Sequence, residues 1–265
     1  SDLLRIEDET VKTPNELHEV GPGGYKSFLQ TKITAALSTE LFEKTDFDFG
    51  VRIVCWTAFH FLDTGPDAAI QKMQHVHDVA RLHSDGGNLA PFLFSINKHE
   101  PASYGRIVQT IRRVAPFFKD FILEPEKHNP KKILLRWRHE GIERPFFASE
   151  FPDGLQRFVC LATVLLQPDP PKVILIDEPE LGLHPFAIHL LGGLIRKAAT
   201  KCQVIAATQS VTLANQFSYE DIILADRNNG ESEFRRLDEG EVSQWLEEYG
   251  IGDLWEKNLL GGTPK

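Results

Sequence analysis

The spacing of apolar and polar positions changes period several times along the chain. Val173-Ile174-Leu175-Ile176 is an unbroken aliphatic run, the pattern of a strand covered on both faces, as parallel strands are. Val204-Ile205-Ala206-Ala207-Thr208 predicts a second parallel strand. Between them the period lengthens to that of a helix: Ile188, Leu191 and Ile195 share one face, His184-Pro185 opens it, and Lys197 lies near its C-terminal end. Phe158, Leu161, Ala162 and Leu165 mark the apolar face of a helix that follows Gly154. Tyr104, Ile107, Val108 and Ile111 mark another, which Pro116 stops. Residues 117–123 and 133–138 predict strands, the second alternating Arg136 and Arg138 against Leu135 and Trp137.

The flanks are less regular. Residues 3–12 alternate loosely, as a strand of an antiparallel sheet does, residues 28–37 suit a helix, and 15–19 make a poor strand. Residues 51–65 begin as a strand and end in a turn, and Asp85-Gly86-Gly87-Asn88 is a turn with Asn88 capping a helix. Near the C-terminus, residues 221–225 and 232–237 flank Asn229-Gly230, a strong hairpin signal. Val242, Trp245, Leu246 and Tyr249 then predict an amphipathic helix ended by Gly250. Alternating helical and extended segments predict an α/β fold: a mostly parallel sheet flanked by helices, with a helical and antiparallel arm.

The chemistry concentrates where the first aliphatic run ends. Asp177 and Glu178 emerge at the C-terminal end of that strand, where open α/β sheets bind ligands. An Asp there can hold hydrated Mg²⁺, which takes one or two carboxylates and keeps several waters, while the adjacent Glu can polarise a water for attack on a phosphate. A strand ending in two solvated acids is the plainer alternative.

The surrounding residues favour the chemistry. Val173 to Pro185, VILIDEPELGLHP, resembles the Walker B motif and following D-loop of ABC-type ATPases in the SMC, RecF and overcoming-lysogenization branch. Glu150-Phe151-Pro152-Asp153-Gly154-Leu155-Gln156-Arg157 is similar to that branch's signature loop, and Ala207-Thr208-Gln209-Ser210 to its switch segment. Phe59-His60-Phe61-Leu62-Asp63-Thr64 resembles a further stretch of the same group, so the likeness runs from about residue 50 to 265. It implies a P-loop NTPase fold, ATP and Mg²⁺ as cofactors, and a head-to-tail homodimer. By residue it implies Asp177 for Mg²⁺, Glu178 for the attacking water and Gln209 for γ-phosphate sensing. It also implies a trans contact from Asp153 and Gly154, an added charge from Arg157, and a D-loop position at the interface for His184. Pro152 departs from the pattern, since a Ser hydroxyl usually stands there.

A Walker A is the missing part. Residues 20–27, VGPGGYKS, put Val20 at its first Gly position and Tyr25 before Lys26, which suits a turn in an accessory lobe better than a phosphate loop. A fragment lacking its N-terminal portion is the expectation. The organisation expected is an accessory remnant over 1–50, an arm over 51–150 and an ATPase core over 151–265.

Bulk properties fit this picture. The 265 residues, 42% hydrophobic and 25% charged, describe an ordinary globular protein, without an apolar run near the ~18 residues of a membrane span. A cytoplasmic location and no membrane contact are expected. Cys55, Cys160 and Cys202 are too far apart for a metal or redox motif, and His75, His77, Asp78 and His83 suit solvated or hydrogen-bonded side chains better than a metal site. The net charge of −9 argues against a surface coated for nucleic acid, although residues 104–144 carry ten Lys/Arg against five Asp/Glu. DNA or a partner effector protein, in repair or anti-phage defence, follows only from the resemblance. A non-hydrolysing interaction module that keeps half of an ATPase fold is the alternative; a nuclease has little support.

Overall fold

A computed structural model describes residues 10–13, 16–19, 56–61, 63–228, 231–243, 245 and 249–260. The helix expected over 28–37 and the turn over 20–27 lie outside them. The chain divides into two compact units, one formed by residues 1–55 with 217–265, the other by 56–216. In the first, β1 (Thr10–Thr13) pairs antiparallel with β2 (Glu16–Glu19), so residues 16–19 are extended despite their weak pattern.

The second unit is built on a parallel sheet. Its first strand, β3 (Trp56–Phe59), leads through a loop to β4 (Gln74–His75), then to helices α1 (Leu89–His99) and α2 (Pro101–Val114). Asn88 occupies the N-cap position of α1, but its side chain does not cap the helix. It is fully buried and latches the preceding loop instead: Oδ1 accepts from the His83 N–H at 2.8 Å, and Nδ2 donates to the carbonyls of Arg81 at 2.7 Å and Asp78 at 3.0 Å. The loop's own polar groups outbid the helix for that amide. His83 lies 3.3 Å from Asp78, and among the described residues no acidic, His or Cys cluster fits a metal.

An antiparallel arm follows, with β5 (Phe118–Ile122), β6 (Pro125–Glu126), β7 (Asn129–Ile133), β8 (Arg136–His139) and β9 (Ile142–Phe147). The expected single strand over 133–138 is two strands in two sheets, of order β4-β7-β6 and β5-β8-β9. Ile133 and Leu135 are both fully buried, and the break at Leu134-Leu135 lets each half find a different partner. Trp137 centres this arm at 2% exposure, stacked on Phe151 with ring centroids 4.7 Å apart and planes 9° from parallel, and its indole N–H donates to the Phe147 carbonyl at 3.1 Å. Because Phe151 stands two residues before α3 (Asp153–Leu166), this stack fixes where α3 begins. Arg144 closes the same corner by an ion pair to Glu150 at 2.7 Å, which with the Phe147 N–H holds the Glu150 carboxyl below its ordinary range.

Helix α3 is buried almost all round from Leu155 to Leu166, wider than the single face its periodicity marked. It packs against both α2 and α4 (Pro185–Ala199). After it comes β10 (Val173–Asp177), the central strand of the sheet, with β11 (Gln203–Ala207) on one side and β3 on the other, all parallel. The register sets Asp177 opposite Ala207 and Ile176 opposite Phe59. The short helix α5 (Val211–Ala214) ends this unit's regular structure.

The first unit resumes with the hairpin β12 (Ile223–Asn228) and β13 (Glu231–Arg236), where Asn228 pairs with Glu231; the two turn residues lie outside those described. Helices α6 (Glu239–Val242) and α7 (Ile251–Glu256) follow. Gly250, expected to end a helix, stands at the N-cap of α7, where its extended backbone (φ −75°, ψ 164°) precedes the first turn. Leu224, Leu237, Val242, Ile251, Leu254 and Leu260 form the core here.

Candidate functional site

The site lies at the C-terminal ends of β10 and β11. The parallel ladder runs one step past the strand, since the Glu178 N–H donates to the Ala207 carbonyl at 2.9 Å. Glu178 then turns the chain with φ +42°, a left-handed conformation in a residue that carries a Cβ. Such positions cost on the order of 1–3 kcal/mol and persist where the surroundings hold them. Here the reversal continues into the turn 178–183, in which the N–H groups of Leu181 and Leu183 donate to the carbonyls of Glu178 and Glu180 at 3.1 and 3.0 Å. The reversal leaves Asp177 exposed at the sheet edge and Glu178 half-buried beside the neighbouring strand exit.

Gln209 comes to Glu178 from β11. Its Nε2 donates to Glu178 Oε1 at 3.3 Å, so two residues 31 apart in sequence meet at one point. The register brings the two strand exits side by side, Asp177 opposite Ala207, and the turn at Glu178 lets its carboxylate meet Gln209 beyond them. An amide can donate to a phosphate oxygen or orient a water, but cannot take a proton.

The start of α3 abuts the turn. A Cβ placed on Gly154 would lie 2.2 Å from the Gly182 carbonyl oxygen, so only a glycine admits this approach. Gly182 has φ +75°, and a Cβ there would meet the Arg157 guanidinium at 3.0 Å. Arg157 donates from Nη1 to the Leu181 carbonyl at 3.1 Å, which ties the turn to the first turn of α3. Pro152 supplies no side-chain cap, and Asp153 is exposed in the first turn, where the leading N–H groups of a helix have no intrahelical acceptor. His184 is the N-cap of α4, its Nδ1 accepting from the Phe186 N–H at 3.2 Å.

Asp177, Glu178, Gln209, Gly154, Arg157 and the 180–183 turn are thus brought together, while the His184 ring is engaged in capping its own helix. Sequence reading missed two members. Glu180 accepts from the Thr208 hydroxyl at 2.5 Å, and Gly182 makes the close approach to α3. The repeated acid in Glu178-Pro179-Glu180 was the only available sign of the first; nothing local marks the second.

The donor set fits a Mg²⁺–nucleotide. One exposed carboxylate at a strand end is what Mg²⁺ takes when phosphates and waters complete its shell, and a caged cluster is not needed.

A parallel sheet with its acids at the C-terminal edge, helices packed about it and an antiparallel arm define an ABC/SMC-like AAA ATPase fold. The same fold is found in the head of an SMC protein solved with the C-winged helix domain of ScpA, at TM-score 0.51 and 15% identity over 72% of this chain and 57% of that one. Residues 66–215, more than half of the chain, match the family described as AAA domain, putative AbiEii toxin, Type IV TA system, and the chain belongs to that family. It is also 28% identical over 153 residues to the ABC-type transporter ATP-binding protein EcsA of Bacillus subtilis, covering 57% of this chain and 51% of that protein. The Nod factor export ATP-binding protein I of Sinorhizobium fredii is 28% identical over 117 residues, 44% of this chain and 31% of that protein. The chain therefore spans about half the length of the first relative and about a third of the second. Among the described residues no helix is long and apolar enough to cross a membrane.

Proposed function

We propose that this chain carries the hydrolytic half of an ATPase site, acting as a head-to-tail dimer on Mg²⁺–ATP. The observation that carries the reading is the meeting of Glu178 and Gln209 at 3.3 Å, at the sheet edge where α/β folds bind ligands. Asp177 holds Mg²⁺, which when bound neutralises charge developing on the phosphate oxygens. Glu178 accepts a hydrogen bond from the attacking water and so aims its lone pair at the γ-phosphorus. Gln209, already bonded to Glu178, orients that water and donates toward the γ-phosphate. The amino end of α3, with Asp153 and Gly154, faces the nucleotide held by a second copy; Arg157 fixes the turn behind it.

The coupled process is DNA repair or anti-phage defence, with an effector protein or DNA as the coupled partner; the family description names a putative toxin of a toxin–antitoxin system. A second reading, an interaction module without hydrolysis, draws on Pro152 in place of a hydroxyl donor and on the engagement of Arg157 with Leu181. ATP turnover by the full-length protein separates the two. Glu178→Gln is expected to lower kcat by about 100-fold or more while ATP still binds, trapping a nucleotide-loaded dimer visible by light scattering. Wild-type turnover in Glu178→Gln, or no nucleotide binding by the full-length protein, refutes the enzymatic reading.

A further inference from the structure

Glu180 is the second acid after β10, and its surroundings are unusual for a side chain beside a ligand edge. One oxygen, Oε1, accepts from the Thr208 hydroxyl at 2.5 Å. The other, Oε2, is out of contact with solvent and has no hydrogen-bond partner among the described residues. A buried carboxylate oxygen without a donor costs free energy, and an apolar side chain in its place would avoid that cost. Fold stability alone therefore does not account for a Glu here.

What the residue does touch leads straight to Gln209. Thr208 is held at its hydroxyl by Glu180, and the same oxygen accepts from the Ser210 N–H at 3.0 Å. This is a side-chain turn closed around the backbone of Gln209. Ser210 in turn caps α5, its hydroxyl accepting from the Leu213 N–H at 3.2 Å. The chain of contacts runs Glu180, Thr208, Ser210, α5, with Gln209 enclosed. Gln209 reaches Glu178 at 3.3 Å, close to the limit of a hydrogen bond, so a small rotation of its backbone would break the contact.

We infer that Glu180 is a positioning residue: through the Thr208 hydroxyl it clamps the turn that presents Gln209 to Glu178, and so couples the segment after β10 to the segment after β11. The inference rests on the proposed hydrolytic role of Glu178 and Gln209. Asp177, the Mg²⁺ position, lies outside the clamp and only the single Gln209 contact to the γ-phosphate passes through it, so losing the clamp lowers the rate of the chemical step far more than it weakens nucleotide binding.

The test uses the full-length protein in two measurements. In steady-state ATP turnover, Glu180→Ala and Thr208→Val are each expected to lower kcat on the order of 10- to 100-fold, the scale of a misplaced reacting group, with KM for ATP changed by less than about 2-fold. Thr208→Ser restores the hydroxyl and the rate. The double variant Glu180→Ala/Thr208→Val is no slower than the slower single, because both changes cut one contact. In hydrogen exchange without nucleotide, the Ser210 amide exchanges faster in Glu180→Ala, and slowly as in wild type in Glu180→Gln, whose amide oxygen still accepts from Thr208. Unchanged kcat and unchanged Ser210 exchange in Glu180→Ala overturn the inference, as does a double variant whose losses multiply. Should the wild-type protein turn over no ATP, the hydrolytic reading fails, and Ser210 exchange alone then decides whether the clamp exists.

Discussion

Gly154→Ala opposes two ordinary effects of known size. Gly154 is the second residue of α3, and replacing a helical glycine with alanine normally stabilises by about 0.5–1 kcal/mol through backbone entropy and propensity. Its φ does not lie in the left-handed region, so no backbone strain opposes the change. The opposing effect is steric. The new methyl would sit 2.2 Å from the Gly182 carbonyl oxygen, and an ordinary contact needs about 1 Å more. That oxygen belongs to backbone, in a turn held by two internal hydrogen bonds and by Arg157 on Leu181, so neither side yields cheaply. Overpacking of this kind costs about 1–3 kcal/mol. The net expectation is a destabilisation of about 1–2 kcal/mol, with Tm lowered by about 2–8 °C, read by urea and thermal unfolding with far-ultraviolet circular dichroism. The m-value should hold, because the surface exposed on unfolding is nearly the same. A variant as stable as wild type, or more stable, would show that α3 does not press on the 180–183 turn.

The arm and its buried groups give two further expectations. Trp137→Phe should cost about 1–2 kcal/mol, because the Phe147 carbonyl loses its indole donor, and Trp137→Ala about 3–5 kcal/mol, since the ring contacts of Phe146 and Phe151 go with it; equilibrium denaturation checks both. Burial, and then the hydrogen bond to Asp120 at 2.6 Å, raise the Tyr104 phenol well above its usual value of about 10. The native state therefore keeps a proton that the unfolded chain gives up, so the contribution of Tyr104 is complete below about pH 10 and is lost as pH rises beyond it. Tyr104→Phe should flatten the stability profile between about pH 9 and 11; an equally steep profile would refute the assignment.

Much of this architecture was legible because it rests on local pattern. The aliphatic runs of β10 and β11, the helical stripe of α4 and the acids at the strand end all declare themselves within a few residues. Contacts made across the chain do not. Gly154 and Gly182 are ordinary glycines until the fold brings them together, and Glu180 looks solvated until Thr208 arrives from the segment after β11. The break between β7 and β8 was hidden because Ile133-Leu134-Leu135 is apolar throughout, and period alone cannot say where such a run changes partner. Asn88 was misread for a related reason: an Asn before a helix favours capping only when no nearer backbone group competes for its amide.

The left-handed turn at position 178 also sets the local preference of the backbone against the residue that stands there. Glycine or asparagine would adopt that conformation with less strain and leave the strand before it in place. The glutamate is held at the bend by what flanks it, the last ladder bond to Ala207 on one side and the 178–183 turn on the other.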